Sequence, residues 1–323
     1  MTAMTPKAGA PVMLIMGPTA SGKTDLAMRL AEHHPVEIVS VDSAMVYRGM
    51  NIGTGKPDHA TLEKYPHHLV DILDPSEPYS AGQFVRDARQ VITQIHARGR
   101  IPLLVGGTML YFRALRHGLA ELPPANPEVR AEIDRQARQS GWPALHAELA
   151  AIDARAADRI QPNDSQRIQR ALEVFRITGR TLSELHAATA LPQPTLAFAA
   201  NAWVPGDRER LYAGIEQRFQ AMMRAGLLEE IRTLHARGDL HAQLPSIRSV
   251  GYRQLWAYLN GETALPVAMA NAILATRHLA RRQLVWLRAE QQVTWVDALD
   301  SRAGALMEAL LAALCRKHLS PER

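Results

Sequence analysis

Apolar and polar positions along this chain form a repeating pattern of short unbroken apolar runs followed by longer stretches with helical spacing. Residues 12–16 are five apolar residues in succession, as in a strand buried on both faces, and residues 25–31 continue as an amphipathic helix. Residues 37–42 make a second strand ending in Asp42, residues 68–73 a third that stops before Asp74-Pro75, and residues 101–105 a fourth. Ser80 stands as the N-cap of a helix reaching residue 98. Phe84, Ala88, Val91 and Ile95 lie on its apolar face, and Gly99 is its stop. A short helix over 109–116 follows the fourth strand. This alternation predicts an α/β fold: a parallel sheet core flanked by helices.

The alternation breaks at residue 119. Pro123-Pro124 opens a stretch that closes with Pro192 and Pro194, and its interior carries helical spacing without a convincing strand. Residues 119–194 are therefore expected to be an inserted all-helical domain, with 1–118 and 195–323 forming the core. Beyond it come a strand over 195–204, helices over 207–224, 227–236 and 265–287, a sixth strand over 292–296 and a last helix over 302–318. In the long helix 265–287, Ile273, Leu279 and Leu284 are expected to pack inward. Arg277, His278, Arg281 and Arg282 should project, with Arg288 just beyond. No internal repeat or low-complexity tract interrupts the pattern.

Composition narrows the class. Hydrophobic residues make up 47% of the 323, ample for a core, yet no apolar run approaches the length of a membrane span. The first eleven residues lack an apolar signal core. Cys315 is the only cysteine, which excludes a disulfide framework and a cysteine-rich zinc site and points to a reducing, cytoplasmic setting. The net charge of +5 suits a polyanionic partner but is common among soluble proteins. Residues 119–193 hold nine Arg, no Lys and ten Asp plus Glu, so the insert is not a bulk basic arm. Its arginines are nevertheless grouped. Arg159, Arg167 and Arg170 flank Asn163-Asp164-Ser165-Gln166, a good helix start. Such grouping is more often a solvated mixed-charge face; the alternative taken here is that these arginines meet phosphates.

The chemistry begins where the first strand ends. Gly17-Pro18-Thr19-Ala20-Ser21-Gly22-Lys23-Thr24 matches G-x-x-x-x-G-K-S/T at every fixed position, between a strand and a helix N-terminus. Backbone amides there converge on an anion, and the helix dipole adds partial positive charge. Lys23 can reach a terminal phosphate and the Thr24 hydroxyl can ligate Mg²⁺. The loop is thus expected to cradle a diphosphate or triphosphate. Asp42, at the end of the second strand, either faces the crevice at the carboxyl edge of the sheet or caps the following turn. The stretch after it, SAMVYRGMNIGTGKP, is dense in glycine and carries Tyr47, Arg48 and Lys56. It is expected to be a substrate-handling loop outside the core. Gly106-Gly107-Thr108 stands where an ATPase of this loop class often places a Mg²⁺-binding acid.

Six blocks then appear in order: GPTASGKT, VSVDSAMVYRGMNIGTGKP, LLVGGTMLYFRAL, QRIQRALEVFRITGR, IRSVGYRQLW and ATRHLARRQLVWLR. Over essentially its whole length the chain closely resembles the bacterial tRNA dimethylallyltransferases, or tRNA isopentenyltransferases. The phosphate loop alone would not say so; the second and fifth blocks are specific. The chain departs from the family pattern at Asn51, Gly55 and Met45, where Asp, Ala and either Gln or Leu are usual.

The resemblance implies a phosphate-loop fold and transfer of a dimethylallyl group from dimethylallyl diphosphate to the exocyclic amine of an adenosine. That adenosine is tRNA position 37, beside the anticodon, and Mg²⁺ is the implied cofactor. Gly17, Pro18, Thr19, Ala20, Ser21, Gly22, Lys23 and Thr24 would hold the diphosphate, Thr19 would reach its bridging oxygen, and Arg218 would grip it. Asp42 would orient the amine and accept its proton. A stacked base cannot react, so it must be flipped into a channel. Asp42, Ser43, Ala44, Met45 and Thr108 would hold that base. Arg130, Gln166, Arg167, Ile168, Gln169 and Arg170, with Arg248, Ser249, Val250, Gly251, Tyr252 and Arg253, would hold the surrounding anticodon stem-loop. A monomer acting in the cytoplasm, away from membranes, is expected. The rivals are a small-molecule kinase with ATP in the cradle and a tRNA-binding regulator without catalysis. The first leaves the six ordered blocks unexplained, and intact Thr19, Lys23, Thr24 and Asp42 argue against the second.

Overall fold

The apolar runs form one parallel six-stranded sheet. In this computed structural model, which describes residues 11–120, 122–188 and 196–319, the strands are β1 (Pro11–Met16), β2 (Val36–Val41), β3 (His67–His68), β4 (Ile101–Gly106), β5 (Ala197–Val204) and β6 (Thr294–Asp297). Their order is β3-β2-β4-β1-β5-β6, with every ladder parallel. Strand β1 lies between β4 and β5, so the chain leaves it toward β2 on one side and later returns to β5 on the other. A sheet places its ligand crevice at the carboxyl ends of strands around such a reversal.

The helices are α1 (Lys23–His33), α2 (His59–Lys64), α3 (Ala81–Ala97), α4 (Met109–His117), α5 (Pro127–Ser140), α6 (Trp142–Ile152), α7 (Ala154–Ala157), α8 (Ser165–Thr178), α9 (Leu182–Ala188), α10 (Arg208–Arg224), α11 (Leu227–His235), α12 (Tyr252–Leu259), α13 (Leu265–Arg288) and α14 (Ala303–Leu319). The period-two pleat sorts the β1 side chains between two cores. Val12, Leu14 and Met16 join Phe84, Ala88 and Ile92 of α3, Phe112 of α4 and Tyr252 of α12. Met13 and Ile15 join Leu26, Ala27 and Leu30 of α1 and Met307 and Leu311 of α14. Both faces are therefore covered, as a parallel sheet requires. Ser80 and Asp207 cap α3 and α10 by accepting backbone N–H groups from the first turn.

Two units compose the chain. The first is Met1–Arg116 with Pro194–Arg323, and the second is His117–Gln193. Among the described residues of the second there are helices and no strand. It has its own core of Ile133, Leu145, Leu149, Ile168 and Leu172.

Three expectations need correction. The third strand was expected over 68–73 but pairs only at His67 and His68. Leu69 (φ 62°) and Asp71 (φ 56°) take left-handed conformations that no strand can continue, and Leu73 rejoins only as a lone bridge to Tyr47. The stretch after Asp42 is not a loop outside the core: Val46, Tyr47 and Met50 are fully buried. Its Lys56 holds the fold, donating to the Tyr47 carbonyl, Asn51 Oδ1 and Asp71 Oδ1. On α13, Ile273 and Leu284 pack inward against buried clusters as expected, but Leu279 joins no core cluster, and the fully buried stripe is Ala268, Ala272, Ala280 and Leu287. Small residues there bring the helix close to its neighbours.

Candidate active site

Strand β1 delivers the chain to Gly17, and α1 begins at Lys23, so the loop between them lies at the carboxyl edge of the sheet. Gly17 sits so near the Trp203 carbonyl that any Cβ would collide with it. Ala20 (φ 61°) and Gly22 (φ 79°) both take left-handed turns, the kind that bends successive amides around an anion. For Ala20 this conformation costs about 1–2 kcal/mol, so neighbours must hold it. Trp203 Nε1 donates to the Ser21 carbonyl at 2.8 Å, and the Thr19 amide donates to Gln283 Oε1 at 2.9 Å. The cradle is braced on two sides before any ligand enters.

Its charges are also set in advance. Lys23 Nζ folds back over the loop, donating to the Pro18 carbonyl at 2.5 Å and to Ser21 Oγ at 3.3 Å. Burial, and next the facing Arg218, push the Lys23 ammonium down to about 7, against the pull of Asp42. Burial likewise lowers Arg218, with Asp42 and Asp25 opposing. Arg218 donates to the Thr54 carbonyl at 3.4 Å. Two poorly hydrated cations facing one crevice are an arrangement that an entering anion relieves.

Asp42 fulfils both of its sequence readings. Its Oδ1 accepts the amides of Ala44 at 2.8 Å and Met45 at 3.2 Å, capping the turn after β2. The same side chain lines an open cleft of about 490 Å³. Thr19, Ser43, Ala44, Thr108, Arg218 and the 248–252 segment share that cleft with the apolar Ile215, Phe219, Met222, Leu227 and Trp286. Thr108 Oγ1 accepts the Ser43 amide at 3.1 Å, joining the turn after β4 to the turn after β2. A smaller cavity of about 80 Å³ adjoins it, lined by Lys23, Thr24, Ser40, Met45 and His67, with Thr19, Asp42 and Arg218 common to both.

Mg²⁺ fits this donor set in one specific way. No group of three His, Cys, Asp or Glu among the described residues could hold a metal alone. Thr24 nevertheless lines the smaller cavity beside Lys23. Mg²⁺ keeps several waters and commonly binds through few protein atoms plus substrate phosphates, so the Thr24 hydroxyl would be its ligand from this chain when a diphosphate is bound.

Sequence reasoning missed Glu230. Its carboxylate accepts the amides of Asn51 (2.8 Å), Ile52 (2.7 Å) and Gly53 (3.1 Å) and the Tyr252 hydroxyl (2.6 Å). It shapes the turn whose Thr54 carbonyl holds Arg218. Nothing in LLEEIRT distinguishes this Glu from its exposed neighbour Glu229. Tyr252, expected to hold RNA, is instead fully buried with its hydroxyl on Glu230, while Arg253 is exposed and lies outside the cleft lining. Gln283 and Trp203, which brace the loop, also went unassigned. Arg277, expected to project, donates to Glu216 and lies over the Tyr212 ring.

Of the family departures, Met45 and Gly55 land at the site, while Asn51 lines neither cavity. Asn51 Oδ1 accepts from Lys56, and Met45 Sδ lies 3.7 Å from Ser40 Oγ. Gly55 (φ 66°) leaves the space that the Arg218 guanidinium occupies.

In the helical unit, Asp164 caps α8 through the Arg167 amide. Glu173, wholly buried, binds Arg130 Nε at 2.8 Å, Arg130 Nη2 at 3.1 Å, Arg170 Nη1 at 2.6 Å and the Asn126 amide at 2.8 Å. Burial pushes its carboxyl up, but the Arg130 and Arg170 hydrogen bonds outweigh that and hold it below the usual range. Two of the expected RNA-binding arginines therefore organise the unit itself. Ile168 is fully buried in its core and cannot present a side chain to RNA, and Gln169 donates to Asp134. Gln166 and Arg167 are exposed. We expect Glu173→Ala to cost about 2–4 kcal/mol by chemical denaturation. Breaking a fully buried pair costs about 3–5 kcal/mol, and here the partly exposed arginines can return to water. An unchanged denaturation midpoint would contradict the assignment.

Residues 45–290 match a family model described as IPP transferase, and residues 10–71 one described as isopentenyl transferase. The chain is similar to the solved full-length tRNA isopentenylpyrophosphate transferase of Bacillus halodurans. Identity is 34% and the TM-score 0.69, over 96% of this chain and 98% of that one. It is also similar to the tRNA Δ2-isopentenylpyrophosphate transferase of Staphylococcus epidermidis, at 30% identity and TM-score 0.66 over 95% and 99%. A eukaryotic dimethylallyltransferase acting on tRNA shares the fold at TM-score 0.79 over 98% of this chain and 81% of that one, with 24% identity.

Proposed function

The chain belongs to the IPP transferase family, and on that premise we propose that it transfers a dimethylallyl group from dimethylallyl diphosphate to the exocyclic amine of adenosine 37 of tRNA, releasing diphosphate. One observation carries the reading: a dehydrated phosphate cradle opens into the same cleft as a carboxylate. Thr19, Lys23, Arg218 and Asp42 together line the smaller cavity, and Thr19, Arg218 and Asp42 also line the cleft.

The roles follow from the charge that develops. As the C–O bond of the donor ionises, negative charge accumulates on the departing diphosphate. Lys23, Arg218 and the loop amides stabilise that charge most where it is greatest, in the transition state. The Thr19 hydroxyl donates to the bridging oxygen. Thr24 would hold a Mg²⁺ shared with the diphosphate, and the bound ion would neutralise part of the leaving charge. On the acceptor side, Oδ1 of Asp42 is fixed by two amides. Its Oδ2 is the oxygen that orients the amine and accepts its proton as nitrogen attacks carbon. Ser43, Ala44, Met45 and Thr108 hold the flipped base. Arg248, Ser249, Val250, Gly251 and Arg253 meet the RNA around it, as do Gln166 and Arg167 of the helical unit. Such an enzyme meets tRNA in the cytoplasm and acts as a monomer. No described helix is long and apolar enough to cross a membrane.

The test is an anticodon stem-loop RNA incubated with donor, Mg²⁺ and enzyme, with the product located by nuclease digestion and mass spectrometry. The added C5 group should sit on the adenosine 3′ of the anticodon, and guanosine there should abolish product. A C5 group elsewhere would refute the site reading.

Lys23 gives a pH signature. Its ammonium titrates near 7 in the free protein, and a bound diphosphate raises that value. Binding therefore takes up a proton above pH 7 and none well below it. The Lys23 contribution to donor affinity should weaken by up to about tenfold per pH unit above 7. Calorimetry at pH 8 in buffers of different ionisation enthalpy should show proton uptake that Lys23→Met removes. Equal uptake in both proteins would assign the proton elsewhere.

Arg167→Ala should weaken tRNA binding and lower its salt dependence by about one phosphate contact, with single-turnover rate on bound complex little changed. Arg167 suits this test better than Arg130 or Arg170, whose loss also disturbs Glu173. An unchanged salt slope would remove Arg167 from the RNA contact.

A further inference from the structure

The Gln283 side chain is the only described one that is hydrogen-bonded to both the phosphate loop and the turn after β4. The Thr19 amide donates to its Oε1 at 2.9 Å, and its Nε2 donates to the Gly107 carbonyl at 2.9 Å. An amide N–H can only donate and a carbonyl can only accept, so the carboxamide has one orientation that satisfies both. Gly107 is suited to this approach because a Cβ there would collide with Nε2.

The connection continues beyond Gly107. The next residue, Thr108, donates its amide to the Val41 carbonyl at 3.2 Å and accepts the Ser43 amide on Oγ1 at 3.1 Å. Asp42 lies between those two anchors, its Oδ1 held by Ala44 and Met45. Four segments are thus in series: the loop at Thr19, helix α13 at Gln283, the turn at Gly107-Thr108, and the turn at Asp42. The two ends are the groups assigned above to the leaving oxygen and to the attacking amine. Gln283 also lines both the cleft and the smaller cavity, so it stands where donor and acceptor must meet. A brace for the fold alone would have no need of that position.

The Thr19 hydrogen bond has a second consequence. In a phosphate loop the amides are the anion's ligands, yet this amide already belongs to a protein side chain. While that bond is kept, the later amides and the Thr19 hydroxyl are what the loop offers a diphosphate.

We propose that Gln283 is a positioning residue for the transfer reaction: its carboxamide sets the separation between the Thr19 cradle and the Asp42 turn. The inference rests on the roles given above to Thr19 and Asp42. Misplacing reacting groups by an ångström can cost about 10²-fold in rate.

The test is Gln283→Met, which keeps length and volume but forms neither hydrogen bond, alongside Gln283→Glu, which keeps the acceptor and loses the donor. Single-turnover transfer is measured at saturating dimethylallyl diphosphate and tRNA. Dissociation constants for both ligands and the melting temperature are measured separately. For Gln283→Met the chemical rate should fall by about 10–100-fold, while both dissociation constants stay within about threefold and melting changes little. Combining it with Asp42→Asn should give less than the product of the two losses, because both act on one proton-transfer geometry. A wild-type rate in Gln283→Met would overturn the proposal. So would a loss explained by weaker donor binding or by a lower melting temperature, since either makes Gln283 a binding group or a brace. A full rate in Asp42→Asn would instead overturn the parent reading, independently of what Gln283 does.

Discussion

Lys23→Ala should lose turnover by at least about 10²–10³-fold at saturating donor, the range for removing one preorganised donor from a developing anion. The effect of Lys23 is large because its ammonium is covered by the loop itself, donating to Pro18 and Ser21, and faces Arg218 across a poorly hydrated crevice. Charge interactions are strong where water is scarce. Arg218→Ala should fall in the same direction but less far, because Lys23 and the loop amides remain. The comparison is a single-turnover rate with donor affinity measured in parallel. A Lys23→Ala enzyme with near wild-type rate would remove the cradle from the chemistry.

Asp42→Asn should separate chemistry from binding. The substitution keeps the shape and an oxygen that can still accept the Ala44 and Met45 amides, so the turn persists. What it removes is the base, and general-base contributions are typically about 10²–10⁴-fold. Donor affinity should hold or tighten, since deleting a negative charge near a diphosphate removes repulsion. An amide donor in place of an acceptor can also misorient the adenine, adding to the loss. A full chemical rate would reduce Asp42 to the cap of its turn. A rate lost only through lost donor binding would place it with the metal and diphosphate instead.

What was legible in the sequence, and what was not, has a physical pattern. Five of the six strands could be read from short apolar-rich runs, of which β1 and β4 are buried at every position. The third could not, because Leu69 and Asp71 adopt left-handed backbone that no residue preference announces. The phosphate loop was legible because its function fixes residue types at fixed spacing. Asp42 was half legible: a strand-end carboxylate could be a cap or a base, and the two oxygens of one side chain allow both. Glu230 and Gln283 were illegible for the opposite reason. Gln283 acts wholly, and Glu230 in all but its Tyr252 contact, through backbone groups brought together from distant positions, and hydrogen bonds to backbone leave no mark on the partner residue's identity. Arg130 and Arg170 carry a structural role that their sequence reading did not include. Grouping suggested phosphates for Arg170, and the family resemblance did so for Arg130, but the buried Glu173 that pairs with both lies on the same helix as Arg170 and is equally plain in the sequence.

The most direct measurement uses dimethylallyl diphosphate labelled in its C5 chain, incubated with tRNA, Mg²⁺ and the enzyme in the complete absence of ATP. Label should enter the RNA in step with diphosphate release, one for one, and Asp42→Asn should nearly abolish both. A small-molecule kinase or a non-catalytic tRNA binder would leave the RNA unlabelled, and that result would contradict a transferase built on this cleft.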